Sequence, residues 1–414
     1  MFSHIALDTI FLLAFISMWL TLFYHGILTI KGYGFFRFIN DEGEKLMDNI
    51  VNLPGVSVMV PAKNEGKVIE DTLDTLLDLN YPLDKIELVI INDGSTDNTK
   101  EVLDEYAFRY KRIKPVHIPE DSACHGKSAA LNEGLKHCSY NYIVVFDGDN
   151  RPEKDSVQYL VRAIIKDEKL AAVCGKIRTF NRSKNLLTRF ANIEFISHQW
   201  LIQAGNWRTR STALLPGTNY IIRKDILLSV GGWNVNALAE DTELSFRLFS
   251  LGYIISFFPL AVSWEQEPEN WKAWRKQRLR WVQGNKYIIK RYIKDKNFRR
   301  ANFINFFHML MIYYLLLLSI VFSDIIFILG LAGIIRLSIS GPLIALWGFT
   351  FIVFILEIAI ALTCEVGEAT LANVALAGLM YFTYCQQWLY IVIKSFFARP
   401  GYNNGAFWAK TERF

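Results

Sequence analysis

Four apolar stretches of membrane-spanning length constrain this chain more than any other feature of its sequence. They cover about residues 5–30, 303–335, 342–363 and 371–393, and a helix needs roughly 20 apolar residues to cross a bilayer. The first stretch has no basic leading segment and no clear small-residue cleavage site, so we expect a retained transmembrane helix over residues 1–32 rather than a signal peptide. The other three predict transmembrane helices within residues 303–395.

A polar region of mixed charge, roughly residues 50–270, lies between the first two stretches and predicts a globular domain inserted between transmembrane helices. Residues 272–300, KAWRKQRLRWVQGNKYIIKRYIKDKNFRR, carry twelve Lys and Arg against one acid. By the positive-inside rule, this charge predicts a multi-pass protein of the plasma membrane whose domain is cytoplasmic. The five cysteines show no C-x-x-C pairing, which agrees with a reducing compartment.

Aromatic side chains are interleaved with these basic residues. They are Trp271, Trp274, Trp281, Tyr287 and Tyr292. A helix of this composition is typical of the surface of anionic lipid, so we predict amphipathic interface helices over residues 271–300 with membrane lipids as partners. The alternative is a charged helix that is merely solvated.

Within the domain, short β-rich runs alternate with helical patterns. Residues 55–62 (GVSVMVPA), 86–91 (IELVII) and 142–146 (YIVVF) are typical of buried strands, and a polar turn and a helical pattern follow each of them. Buried strands that are joined by helices predict an α/β domain with a parallel sheet. Ligands of such sheets bind beyond the carboxyl ends of the strands.

Two carboxylates, Asp147 and Asp149, follow the third of these strands with one glycine between them. Side chains two residues apart point the same way, and a turn at Gly148 lets both converge on one ligand. Mg²⁺ prefers one or two carboxylates together with substrate phosphate oxygens, so the pair predicts a cation that bridges to a nucleotide. The alternative is that Asp149 or Asn150 caps the helix that starts near Asp155.

The other strand ends carry polar residues as well. Asp93 opens the turn NDGS, and Lys63, Asn64 and Glu65 follow the first strand. The segment HGKSAALNEGL is similar to a phosphate-binding P-loop, but it fails that pattern because Asp121 stands where a glycine is required.

Six motifs occur in one order between residues 53 and 285: VPAKNE, NDGSTDNT, GKSAALN, FDGDN, GGWNVNALAEDTELSFRL and QRLRW. In this order and membrane context, the sequence resembles the processive family 2 glycosyltransferases, the group of cellulose, chitin, hyaluronan and poly-N-acetylglucosamine synthases. The resemblance implies a cytoplasmic GT-A domain, which is a Rossmann-like nucleotide-sugar-binding fold, over residues 50–270. It also implies Mg²⁺ or Mn²⁺, a UDP-sugar donor, and extrusion of the growing polysaccharide through a channel formed by residues 303–395.

The same resemblance assigns residues to the donor. The uridine pocket would be formed by Pro61, Ala62, Glu65 and Asp93, and Lys127 would contact phosphate or uridine. Asp147 would bind the nucleotide and Asp149 would bind the metal. Gln277 and Arg280 of the Q-x-x-R-W motif would face the donor, with Arg280 on the diphosphate. The alternative for Lys127 is an exposed lysine at a helix start. The alternative for Asp93 is an ordinary turn residue.

Inverting glycosyl transfer needs a base that takes the proton of the acceptor hydroxyl. Asp241, next to Glu240 in the segment AEDTELSFRL, matches the carboxylate that the family uses, although Ala239 replaces the family's usual threonine. The alternative is that these two acids only favour the first turn of a helix through its dipole.

Acceptor-binding residues are also implied by the resemblance. They are Gly217, Thr218 and Asn219 of a small-residue loop, and Trp281, which would stack under the acceptor sugar. The alternative is that Arg and Trp side chains in this region only lie at the membrane surface. This alternative explains Arg278 and Trp274 better than it explains the spacing of the Q-x-x-R-W motif.

In the basic tail over residues 396–414, Lys410, Thr411 and Arg413 match a gating segment of the family. The alternative is a tail that is merely solvated.

The number of membrane crossings is a difficulty. A cytoplasmic domain and a cytoplasmic tail must be separated by an even number of crossings, yet three apolar stretches lie between them. Either residues 303–335 form a hairpin that breaks at Ser323 and Asp324, or one stretch lies in the membrane interface, or the tail is outside.

Three functions are compatible with parts of this sequence: a processive polysaccharide synthase, a non-processive transferase to a lipid carrier, and a passive channel or transporter. Relatives that modify lipid carriers lack Q-x-x-R-W, and a channel gives no reason for charged clusters at strand ends. We favour UDP-glucose and a β-glucan product, with UDP-N-acetylglucosamine and a chitin-like or poly-N-acetylglucosamine product as the alternative. Regulatory or secretion proteins are expected as accessory partners, and no nucleic acid is.

Overall fold

The computed structural model describes residues 4–43, 45, 52–122, 126–304 and 340–398, together with isolated positions between 307 and 334. Most of the predicted membrane stretch 303–335 and the tail with Lys410, Thr411 and Arg413 lie outside the described residues. The strands are β1 (Val56–Ala62), β2 (Ile86–Asp93), β3 (Ile113–Ile118), β4 (Tyr142–Val145), β5 (Arg151–Pro152), β6 (Leu170–Thr179), β7 (Tyr220–Arg223) and β8 (Ile254–Glu265).

Eight strands among the described residues form one mixed sheet in the order β3-β2-β1-β4-β7-β6-β8-β5. The first four strands of that order are parallel, as predicted. The expectation of a parallel sheet is wrong for the other half, because β7 is antiparallel to both β4 and β6, and β5 is antiparallel to β8. The β1 and β2 strands are buried along their whole length, which is why they are continuously apolar rather than alternating.

Helices cover the sheet and continue beyond it. They are α1 (His4–Glu42), α2 (Ile69–Leu77), α3 (Thr99–Arg109), α4 (Lys127–Leu135), α5 (Ser156–Ile165), α6 (Leu186–Ser197), α7 (Ala204–Arg210), α8 (Lys224–Ser229), α9 (Glu240–Ser250), α10 (Trp271–Tyr292) and α11 (Lys296–Ala301), with a π-helical turn over His198–Gln203. The predicted apolar face of α2 is confirmed, since Ile69, Leu73 and Leu76 are buried. Asn185 starts α6 with a capping box that it forms with Thr188, a pairing that satisfies otherwise orphaned backbone donors.

The α1 helix is longer than the predicted span over residues 1–32. Among the described residues it is the one helix long and apolar enough to cross a membrane, over Phe11–Glu42. Its second half packs on the domain: the Phe36 ring meets Trp200 edge-on at 5.3 Å. Gly32 allows this approach, because a Cβ there would lie 1.9 Å from the Trp200 carbonyl oxygen. The apolar residues of this helix therefore include side chains that pack on the domain.

The stretch 371–393, which the sequence predicts as one transmembrane helix, is interrupted at Thr383. This stretch forms two helices, Leu371–Phe382 and Tyr384–Phe397, which follow the helix Ser340–Thr363. The first is only about 18 Å long at 1.5 Å per residue, which is too short to cross a bilayer. Both helices contact α6, through the Arg189–Asn373 and Glu194–Tyr384 hydrogen bonds.

The number of membrane crossings after the domain and the side of the membrane on which the tail lies stay predictions.

The basic segment also differs from its prediction on one face. Trp274 and Arg278 of α10 are completely buried rather than at a membrane surface. The reason is that Tyr384 accepts a hydrogen bond from the Trp274 indole at 2.8 Å and Glu194 pairs with the Arg278 guanidinium at 2.5 Å. The α10 helix is thus held between the domain and the Tyr384–Phe397 helix.

Candidate active site

The turns that follow β1 and β2 are tied together by hydrogen bonds. Asn64 has a left-handed backbone with φ of 56°, its N–H donates to the Ser95 hydroxyl at 2.9 Å, and its side-chain oxygen accepts from the Thr96 N–H at 2.7 Å. The Glu65 N–H donates to the Thr99 hydroxyl at 2.9 Å. Two turns that are far apart in sequence therefore form one surface at the carboxyl edge of the sheet.

Four predicted donor residues lie at this edge. Asp93 is completely buried and pairs with Lys63 at 3.5 Å, so it is more than an exposed turn residue. Pro61 and Ala62 end the buried β1 strand, and Glu65 is 8% exposed. These residues therefore lie together at the ends of β1 and β2.

Asp147 and Asp149 follow β4 at the same edge. The Asp147 N–H donates to the Thr218 hydroxyl at 3.0 Å, which fixes the start of the turn. A Cβ on Gly148 would lie 3.0 Å from the Glu65 side chain, so a larger residue would strain this turn. The helix-cap alternative is wrong, because α5 begins at Ser156 and the residue before it is Asp155.

Lys127 connects this edge to the opposite side of the site. Its Nζ lies 2.5 Å from Asp147 Oδ1 and 3.6 Å from Glu240 Oε1, and it donates to the Gly217 carbonyl at 2.8 Å. Burial lowers the pKa of Lys127, but the acids Asp147, Glu240 and Asp241 outweigh burial and raise that pKa above its ordinary value. The alternative of an exposed lysine at a helix start is therefore wrong.

Asp241 lies in the first turn of α9, beside the backbone of Gly217. A Cβ on Gly217 would approach Asp241 Oδ2 to 2.8 Å, and Gly217 also has a positive φ of 87°. Burial and then the charge of Glu240 raise the pKa of Asp241 to about 7, against the opposing effects of the Thr242 N–H, Lys127 and Arg280. A carboxyl with a pKa near the working pH is suited to general base catalysis, which the helix dipole alone does not explain.

Three residues that the sequence analysis did not single out hold these groups together. The Asn132 side chain donates to the Trp233 carbonyl at 2.7 Å and accepts from the Trp233 N–H at 2.9 Å. The Trp233 indole donates to the Tyr220 hydroxyl at 3.0 Å. Helix α4, strand β7 and the turn before α9 are thereby joined, and the GGW sequence was the signal available for that turn.

The small-residue loop supports the site from inside the protein. Asn219 is completely buried, and its amide donates to the carbonyls of Lys176 at 2.8 Å and Ala261 at 3.0 Å. The predicted contact between Asn219 and an acceptor sugar is therefore wrong for this geometry, because no side-chain surface faces outward. Thr218 is 2% exposed and binds the Asp147 backbone, so it too acts as support, and Gly217 contributes its carbonyl.

The Q-x-x-R-W motif lies on α10. The charge of Arg280 lowers the pKa of Asp241, and the role of Arg280 on the diphosphate stays a prediction. The side-chain amide oxygen of Gln277 accepts a hydrogen bond from the Arg278 guanidinium. The Arg278 guanidinium lies 4.0 Å from the centroid of the half-buried Trp281 ring.

Helix α10 approaches the start of α9 through a glycine, and this contact yields a prediction. A Cβ on Gly284 would lie 2.6 Å from the Ala239 Cβ and 3.1 Å from its backbone nitrogen. We expect Gly284→Ala to cost about 1–3 kcal/mol in unfolding free energy and to reduce sugar transfer, because it pushes Arg280 away from Asp241. Chemical denaturation and a transfer assay measure the two effects.

The matched control is Gly348→Ala, at a helical glycine where a Cβ would meet nothing within 4 Å. If Gly284→Ala has the same unfolding free energy and transfer activity as wild type, the close contact of α9 and α10 is not needed for stability or transfer.

The donor set at Asp147 and Asp149 fits a hard divalent cation. Within the described ranges, no group of three or more His, Cys, Asp and Glu side chains forms a complete metal cage. Mg²⁺ and Mn²⁺ sites of nucleotide-binding proteins do not need one, because carboxylate oxygens act together with substrate phosphate oxygens and water. The two carboxylates therefore have the chemistry that the predicted metal requires.

Comparisons with known proteins agree with this geometry. The glycosyl transferase family 2 profile matches residues 57–231. The chain is 40% identical over 412 residues, 98% of both chains, to the probable glycosyltransferase YdaM of Bacillus subtilis. It is 33% identical over 243 residues to a poly-β-1,6-N-acetyl-D-glucosamine synthase of Staphylococcus aureus, which covers 59% of this chain and 57% of that protein.

A solved structure shares the fold. It is the mannosyltransferase PcManGT of Pyrobaculum calidifontis in complex with GDP-Man and Mn²⁺, with a TM-score of 0.58, 19% identity, and coverage of 88% of this chain and 99% of that one. The mixed sheet is thus a GT-A-like α/β fold. With the full-length relative and the matched profile, this chain belongs to glycosyltransferase family 2.

Proposed function

We propose that this protein is a processive, inverting glycosyltransferase that polymerises a UDP-activated hexose at the cytoplasmic face of the plasma membrane and extrudes the product. The observation that carries this proposal is the bridge made by Lys127, which contacts Asp147 on the donor side and Glu240, the neighbour of Asp241, on the acceptor side. One cation thus joins the nucleotide edge of the sheet to the candidate base.

The donor would lie along the carboxyl edge. Pro61, Ala62, Glu65 and Asp93 would surround the uridine, and Lys127 and Arg280 would face the diphosphate, where the fixed fork of Arg suits phosphate oxygens. Asp149 would hold Mg²⁺ or Mn²⁺ together with Asp147. A bound cation of this kind would neutralise the negative charge of the diphosphate.

Transfer is a direct displacement at the anomeric carbon. The acceptor hydroxyl oxygen forms a bond to C1 of the donor sugar while the bond from C1 to the diphosphate oxygen breaks, and UDP leaves with that electron pair. Asp241 takes the hydroxyl proton. Lys127 and Arg280 stabilise the charge that develops on UDP, and the anomeric configuration inverts.

Two donors have specific support. The relative that is named a poly-β-1,6-N-acetyl-D-glucosamine synthase supports UDP-N-acetylglucosamine. UDP-glucose, which the sequence analysis favours, is supported by the loop LLPGTN (residues 214–219) and by the absence from this sequence of the D-S-D motif found in chitin and hyaluronan synthases. The two sugars differ by one acetamido group, and the choice between them depends on a few contacts in the binding pocket. Both donors are therefore tested in the experiment.

Processivity requires that the product stays bound after each transfer. Trp281 on α10 supplies an aromatic surface beside Arg280, on which a sugar ring can stack. The gating role of Lys410, Thr411 and Arg413 and the channel over residues 303–395 remain predictions.

The experiment offers radiolabelled UDP-glucose and UDP-N-acetylglucosamine separately, with Mg²⁺ or Mn²⁺, to the purified full-length protein in lipid. High-molecular-weight product from one donor, digested by a linkage-specific glycanase, supports the proposal and identifies the sugar. Product that extracts with lipid and carries a single sugar would instead support transfer to a lipid carrier. UDP binding without any product from either donor would contradict the proposal.

The pH dependence of transfer tests the assignment of the base. Because Asp241 acts as the carboxylate, its pKa of about 7 predicts that kcat/KM rises with pH through about 7. Glu240 raises the pKa of Asp241, so we expect Glu240→Gln to shift this rise to lower pH. Profiles of both proteins between pH 5 and about 9 measure the shift.

Glu133→Gln is the control, since Glu133 is a surface acid of α4 that pairs with Lys136. A shift of the Glu240→Gln profile to higher pH would contradict the sign of this coupling.

A further inference from the structure

Arg278 is a charged side chain in the interior of the protein, on the same helix α10 as Trp281. It is completely buried. Its guanidinium lies 4.0 Å from the centroid of the Trp281 ring, closer than to the rings of Trp274 at 5.5 Å and Phe195 at 5.7 Å. The Trp281 indole therefore rests on a fixed cation.

Glu194 holds that cation from α6. One of its oxygens pairs with Arg278 at 2.5 Å and accepts from the Tyr384 hydroxyl at 2.7 Å, and the other accepts from the Trp388 indole at 2.9 Å. Glu267 approaches Arg278 at 3.4 Å from beyond the end of β8. Helix α10 and the helix Tyr384–Phe397 thus meet at one partly buried carboxylate of α6.

We propose that Arg278 is the positioning residue for the acceptor sugar, and that Glu194 connects it to the helix Tyr384–Phe397. This inference rests on the proposed function, because it assigns Trp281 to a sugar ring. Arg278 holds the Trp281 indole, Glu194 holds Arg278, and Tyr384 and Trp388 hold Glu194. The helix Tyr384–Phe397 therefore determines where the end of the polysaccharide lies relative to Asp241.

The chemistry of this arrangement requires arginine. Its guanidinium is planar, so it stacks on an indole and donates to two carboxylates at the same time, whereas the ammonium of lysine is a compact, strongly hydrated charge. Cations over Trp rings attract them most strongly when both are removed from water. Lysine at this position would keep the charge for Glu194 but lose the flat support for Trp281.

Arg275 provides a matched control one turn earlier on α10. It donates to the Gln387 side chain at 3.1 and 2.8 Å and lies over the Tyr390 ring at 5.4 Å. Arg275 therefore connects α10 to the helix Tyr384–Phe397, as Arg278 does, through one polar side chain and one aromatic ring. The difference is that the nearby tryptophan of Arg275 is Trp271 and not Trp281.

The experiment uses full-length wild type and the variants Arg278→Lys, Glu194→Gln and Arg275→Lys in lipid nanodiscs, with whichever of the two donors wild type uses. It measures product length, the KM and kcat for an added oligosaccharide acceptor, donor hydrolysis without acceptor, and thermal unfolding. We expect Arg278→Lys and Glu194→Gln to raise the acceptor KM at least tenfold and to shorten the product. Donor hydrolysis should stay within twofold of wild type, and Arg275→Lys should match wild type in product length.

Wild-type product length from a folded Arg278→Lys would overturn the inference. Equal loss of hydrolysis and elongation in Arg278→Lys would also overturn it, because a purely structural role predicts that result. Shortened product from Arg275→Lys would overturn it as well, because elongation would then require every link between α10 and this helix and not the support of Trp281 by Arg278. Absence of product from wild type would overturn the proposed function itself, and the two failures are thereby distinguished.

Discussion

The Asp241→Asn variant is expected to lose polymer synthesis by about 10²–10⁴-fold, the range that a positioned general base contributes. An amide cannot accept the proton of the acceptor hydroxyl, while its size and shape match those of the carboxyl. UDP binding should persist, because the proposed donor contacts are made by other residues. The measurements are incorporation of labelled sugar and calorimetric titration of UDP with Mg²⁺.

Asp225→Asn provides the control for this variant. Asp225 is also an acid in the first turn of a helix, α8, where it pairs with Arg223 at 3.1 Å on the protein surface. If Asp241 acted only through the helix dipole, both substitutions would have similar small effects. Continued synthesis by a folded Asp241→Asn would exclude Asp241 as the base.

The Asp149→Asn variant is expected to weaken metal-dependent UDP binding by at least about 10–100-fold, since loss of an outer partner of a metal ligand already costs that much. Asp149 is 5% exposed at the end of β4, so its substitution removes an oxygen donor from an enclosed position. The measurement is UDP affinity with Mg²⁺, with Mn²⁺ and with excess EDTA. The difference between metal and EDTA should nearly disappear in the variant.

Asp155→Asn is the control for this second prediction. Its carboxylate accepts from the Asn80 amide at 2.9 Å, away from the donor edge, so its substitution should leave the metal effect unchanged. Unchanged metal-dependent affinity in Asp149→Asn would contradict the metal assignment and leave the carboxylate with a role in the turn.

Local sequence patterns were sufficient for half of the sheet and for the composition of the donor edge. The strands β1, β2 and β4 are buried on both faces, and a polar turn follows each of them. Each apolar run and the polar residues at its end are therefore adjacent in the chain, where a short pattern can predict both. Asp93 ends β2, Asp147 follows β4, and Lys127 pairs with Asp147; their roles toward a donor stay predictions. The antiparallel β7 strand was not predicted, because strand direction depends on a connection through α6 and α7 that no short pattern encodes.

Helix lengths in the apolar regions were less predictable. Hydropathy measures composition and does not distinguish a span from a helix that packs on a domain. The two helices of the stretch 371–393 contact α6, α10 and the helix Ser340–Thr363, although Leu371, Phe382 and Ile393 are exposed. The break at Thr383 has no strong local signal.

The sequence by itself determined the family, the order of the motifs and the carboxylates that follow β2 and β4, because each of these is encoded within a few consecutive residues. The tertiary structure alone decided which charges are buried. Lys127 and Gly217 are 90 positions apart, and Arg278 and Glu194 are 84 apart. A buried charge is stable only beside a partner that satisfies it, and folding, not proximity in the chain, brings those partners together.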